Sequence, residues 1–75
     1  MTEDRQLRSL VLDVVDAYEA AIGSVPLRLL TYHVNKNPRK RGQHVYTKKE
    51  VGQAADLLVE KGMLKTCRAY YKRRK

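Results

Sequence analysis

The chain has 75 residues, 43% of them hydrophobic and 32% charged, and a formal net charge of +8. A domain near this size buries only about 60% of the surface its unfolded chain exposes, so a compact core fits but a deep catalytic cleft between lobes does not. The hydrophobic fraction is too high for a disordered basic tail, and no apolar run approaches the roughly 18 residues of a membrane span.

The N-terminus reads Met-Thr-Glu-Asp, without the basic and then apolar regions of a signal peptide. The expectation is a soluble, intracellular, cytoplasmic protein forming one domain over 1–75. Leu7, Leu10, Val11, Val14, Tyr18, Ala21 and Ile22 recur at helical spacing, with Leu12 and Val15 widening the stripe. They predict a first helix over about 3–22. Thr2 suits its cap, Glu3 and Asp4 suit the positive end of its dipole, and Gly23 ends it. Its acidic side, with Asp13, Asp16 and Glu19, is expected to face away from any polyanion.

Ser24 is a good cap, and Pro26 is tolerated in a first helical turn. Leu27, Leu30, Thr31 and Val34 share a face, predicting a second helix over about 26–35. The alternative is that Ser24–Pro26 is extended and pairs with a later strand. Residues 35–44 are a loop: Asn35, Asn37, Pro38 and Gly42 favour turns, and Lys36, Arg39, Lys40 and Arg41 make it basic. Tyr46 precedes the next cap and is placed to staple to Val51.

Thr47-Lys48-Lys49-Glu50 is a capping box, in which the Thr hydroxyl and the Glu carboxylate each satisfy a backbone amide of the other. Val51, Ala54, Ala55 and Leu58 continue the helical stripe, and Gly62 caps its end. The third helix is predicted over about 48–61. Thr66, Cys67, Tyr70 and Tyr71 then favour extended chain, as one strand or a loose hairpin, ending in a basic tail over 72–75 expected to be flexible. If extended, Tyr70 and Tyr71 point to opposite sides. One packs on the core; the other is free to stack on a base or meet a partner chain.

The charge is unevenly placed. Residues 1–35 hold three Arg against five acids, a net −2; residues 36–75 hold thirteen Lys and Arg against three acids, a net +10. Such asymmetry points to nucleic acid or another anionic surface. The bland reading is that high charge simply keeps a small protein soluble.

The run Glu50 to Lys65, and within it Leu58-Val59-Glu60-Lys61-Gly62-Met63-Leu64, resembles the third helix and first wing strand of winged helix-turn-helix domains. The motif covers 47–65; the order of elements extends the likeness over about 5–72. The resemblance implies a mainly α fold with a small β element, three helices and a short basic wing. It also implies double-stranded DNA as partner, for a small transcriptional regulator or architectural factor associated with a nucleoid or with viral or plasmid DNA. The third helix would enter the major groove with Thr47, Lys48, Lys49, Gly52, Gln53 and Asp56 exposed. Chemistry agrees: the groove admits one helix, Gln pairs with adenine, and Lys donates to guanine or phosphate. Lys36, Arg39, Lys40, Arg41 and His44 in the loop, and Lys65, Arg68, Lys72, Arg73 and Arg74 in the wing, would reach phosphates. Gly52 suits either a close backbone approach or tight packing on the second helix. The chain departs from the pattern in its ten-residue connection between helices 2 and 3, where such turns take about 3–4, and in a short wing without a clear turn.

Other chemistry has little support. His33, His44 and Cys67 lack metal-ligand spacing, and His33 reads as a helix-surface residue. Cys67 has no partner placed by sequence, the carboxylates are scattered, and there is no phosphate-binding glycine loop. No enzyme, metal or cofactor is expected. The alternatives are a ribosome-associated type of RNA-binding module and a protein–protein adaptor. A homodimer would read paired half-sites, although nothing in the sequence demands one.

Overall fold

A computed structural model describes residues 2–21, 23–40, 44–67 and 70–73, with side chains from Arg5 onward. The elements run α1 (Thr2–Ala21), β1 (Val25–Pro26), α2 (Leu27–Lys36), α3 (Lys48–Glu60), β2 (Leu64–Cys67) and β3 (Tyr70–Arg73). The protein is mainly helical, with a three-stranded antiparallel sheet in the order β1-β3-β2. No helix among the described residues is long and apolar enough to cross a membrane.

One apolar cluster joins all the elements. Leu7, Leu10, Val11, Val14 and Val15 of α1 meet Leu30 and Val34 of α2, Val51, Ala55 and Leu58 of α3, and Val25, Leu64 and Tyr71 of the sheet. The helical periodicity of the sequence therefore marks the buried face of each helix, except that Ala21 at the end of α1 is exposed and Ile22 lies outside the described residues. α1 begins at Thr2, so Thr2 opens the helix rather than standing before it. The expected side-chain roles of Thr2, Glu3 and Asp4 lie outside the described residues.

The expected Ser24 cap is not used. The N-cap of α2 is Pro26, extended at φ −71°, ψ 154° and without a side-chain cap bond. Val25 pairs with Tyr71, and Pro26 with Tyr70. Proline disfavours helical geometry at the residue before it, so this segment serves the sheet and helix begins only at Leu27. The extended alternative is the one that holds.

β2 and β3 form a hairpin in the register Leu64↔Arg73 to Cys67↔Tyr70. Lys72 and Arg73 are thus strand residues, not part of a tail, because ladder bonds to β2 fix them. α3 ends as its Gly predicts. Gly62 has φ 81°, its N–H donates to Val59 O at 3.0 Å, and Met63 N–H donates to Leu58 O at 2.9 Å, the paired bonds of a Schellman motif.

Tyr71 ties the sheet to α3. Its hydroxyl donates to Asp56 Oδ1 at 2.9 Å. Burial, and then Asp56, push its ionisation up from 10.0 to about 12. The folded value lies above the unfolded one, so this stabilisation is complete below pH 10 and is lost as pH rises toward 12. Urea unfolding across that window should show the wild-type chain losing about 1 kcal/mol more than Tyr71→Phe, the linkage being reduced by solvent screening. Parallel curves for the two chains would refute the shift.

Candidate nucleic-acid interface

The start of α3 is fixed from three sides. The capping box forms as its spacing predicts: Glu50 N–H donates to Thr47 Oγ1 at 3.1 Å, and Thr47 N–H donates to Glu50 Oε1 at 2.9 Å. Such a cap contributes about 1 kcal/mol. The Thr47 N–H bond is the main reason the Glu50 carboxyl titrates below its ordinary range. Tyr46, immediately before the cap, is buried in the core with Val51. Asn35 at the end of α2 holds both backbone polar groups of Tyr46, accepting from its N–H at 2.8 Å and donating to its carbonyl at 2.9 Å. Its amide also donates to Thr31 O at 3.1 Å. Asn35, a residue type that favours turns, instead lies within the last turn of α2. A clamp between residues eleven apart leaves no local sequence signal.

Lys48 and Lys49 project from this braced helix start, both exposed and in no ion pair among the described residues. Free amides and the positive end of the helix dipole lie at the same place. Gln53 is exposed one turn on, at the rim of a shallow groove between α1 and α3 lined by Leu7, Arg8, Glu50, Ala54 and Leu57. Asp56 is exposed and occupied by the Tyr71 hydroxyl. Gly52 corrects the expected exposed face. It is buried against α2, where an added Cβ would stand 3.4 Å from Leu27 Cδ2. Its role is helix packing.

The basic loop is ordered by turn chemistry as far as Lys40. Lys40 N–H donates to Asn37 O at 2.9 Å, and Arg39 N–H donates to Asn37 Oδ1 at 2.8 Å, with Pro38 inside the turn. The Arg39 guanidinium then reaches α1, pairing with Asp13 and donating to Ser9 Oγ at 2.9 Å. Arg73 pairs with Asp16 through Nε at 3.0 Å. Two expected phosphate contacts are therefore held by helix 1. Through these two pairs, packing lays the acidic side of α1 against both the loop and β3.

Other cations divide similarly. Lys36 sits 5.8 Å from the Tyr32 ring centroid. His44 lies 3.5 Å from Glu50 Oε2 and edge-on to Tyr46 at 4.7 Å. Lys40, Lys65 and Lys72 form no ion pair among the described residues. Arg41, Arg68 and Arg74 lie outside the described residues. His33, read as a surface residue, is half-buried and hydrogen-bonds Tyr18 Oη at 2.6 Å, linking α2 to α1. No group of three or more His, Cys, Asp or Glu among the described residues could hold a metal ion.

No family model, curated protein or solved structure matches the chain.

Proposed function

We propose that this protein binds double-stranded DNA as a small winged-helix module, in the role of a transcriptional regulator or architectural factor. The observation that carries the reading is the braced, exposed start of α3, with Lys48 and Lys49 beside free helix amides and Gln53 one turn further. The element order α1-β1-α2-α3-β2-β3, with β3 central in the sheet, suits a recognition helix followed by a wing. On this reading α3 enters the major groove N-terminus first. Its far end carries exposed Asp56 and Glu60, which would be repelled by phosphate. Lys40 and the hairpin lysines follow the backbone.

The test is electrophoretic or anisotropy binding to duplex DNA with random competitor, alongside structured RNA. Lys48→Ala combined with Lys49→Ala should weaken duplex binding at least tenfold, as loss of two charge contacts requires. Deleting Arg74 and Lys75, which leaves β3 intact, should change it little. The reverse pattern would favour a diffuse backbone mode, tighter binding to structured RNA the RNA-binding alternative, and binding insensitive to salt a protein partner.

A further inference from the structure

The inner face of the sheet serves the fold: Leu64 and Tyr71 are buried, and Arg73 is held by Asp16. On the outer face Tyr70, Cys67, Lys65 and Lys72 are all exposed among the described residues. Strand alternation and register place two rows on it. Pro26, Tyr70 and Cys67 lie side by side across the three strands, and Lys72 and Lys65 form the next row. Tyr70 is 44% exposed although it is central in the sheet. Lys65 and Lys72 stand directly opposite each other, both exposed. Like charges so placed destabilise a hairpin, so the fold alone gives no reason for the pair. Tyr70, Cys67, Lys65 and Lys72, with Ser24 and Thr66 at the margin, line an open depression of about 470 Å³.

Tyr70 and Lys72 are two residues apart on one strand face, so the aromatic and basic rows lie about 7 Å from each other. A ring beside two ammonium groups meets the needs of a nucleotide: a π-face for the base and cations for the flanking phosphates. A duplex keeps its base faces inside the stack, so only an unpaired base can lie on Tyr70. We infer that the outer face of the sheet binds single-stranded nucleic acid, one base stacking on Tyr70 with its neighbouring phosphates at Lys65 and Lys72. The site shares no lining residue with the groove beside the start of α3, although its two lysines are also the hairpin lysines assigned to the duplex backbone above. It does not rest on the duplex-binding reading.

The experiment uses the full chain with a fluorescent oligothymidylate and, separately, a fluorescent duplex. Tyr70→Ala should weaken oligothymidylate binding about 5- to 150-fold, the range for loss of one stacked base. Tyr70→Phe should retain it, because the ring remains, and both variants should keep wild-type duplex affinity. Circular dichroism checks that the Ala variant folds. A second readout is Cys67, the chain's single cysteine, exposed on the same face. Saturating oligothymidylate should slow its alkylation by iodoacetamide. Oligothymidylate binding that is absent in the wild type, unchanged by Tyr70→Ala, or without protection of Cys67 would overturn the inference. Tyr70-dependent binding of oligothymidylate with no duplex binding would sustain it and defeat the duplex reading instead.

Discussion

Raising the salt from about 50 to about 200 mM is expected to weaken duplex binding about 10²- to 10³-fold. Each phosphate neutralised releases condensed counterions, and the logarithm of affinity falls with a slope of about −0.9 per contact. The cations available set the number of contacts. Lys36, Lys40, Lys48, Lys49, Lys65 and Lys72 form no ion pair among the described residues, whereas Arg39 and Arg73 are held by Asp13 and Asp16. Four to six contacts from that set give a slope of about −4 to −5. Net charge alone would suggest a steeper dependence, but the aspartates of α1 reduce it. A slope shallower than about −2 on a plot of log affinity against log salt would sink the phosphate-driven mode.

Leu30→Ala is expected to destabilise the fold by about 2–5 kcal/mol, the usual cost of a core leucine truncated to a cavity. Leu30 is fully buried in α2. α2 has ten residues, no side-chain cap and no acid in its first turn. An isolated helix of that length is marginal in water, so burial of Leu30 and Val34 must hold it. A domain of this size has a total stability of only about 4–11 kcal/mol. Urea unfolding should therefore show a large fall in midpoint with an unchanged slope, while Tyr32→Ala, on the exposed side of the same helix, should shift it little. The loss reaches the start of α3 as well. Asn35 on α2 holds Tyr46, and Tyr46 leads directly into the cap of α3. A loss below about 1 kcal/mol would mean that the site repacks without leaving a cavity.

Helices were legible because their signals are local. The Thr47–Glu50 capping box, the glycine ends at Gly23 and Gly62, and the spacing of Val51, Ala55 and Leu58 each need only a few neighbouring residues to act. Lys48 and Lys49 were legible for the same reason, since a residue next to a strong cap sits at the helix start wherever the helix packs. β1 was legible only as an alternative. Two residues at Val25 and Pro26 carry no strand signal of their own, and their state depends on Tyr70 and Tyr71 some forty-five positions later.

Charge shows the division most plainly. That thirteen of the sixteen Lys and Arg lie beyond residue 35 is a property of the chain alone, as are the helix faces and the capped start of α3. Which of those cations are free to meet a phosphate was settled by folding. Asp13 and Asp16 face Arg39 and Arg73 only because α1 packs against both the loop and β3. Gly52 meets Leu27 only because α2 and α3 cross there. Lys65 and Lys72 face each other only through the hairpin register. Such pairings join residues far apart in the chain. Local propensity acts over a turn or two of backbone, whereas partners across the fold are chosen by burial of the shared core.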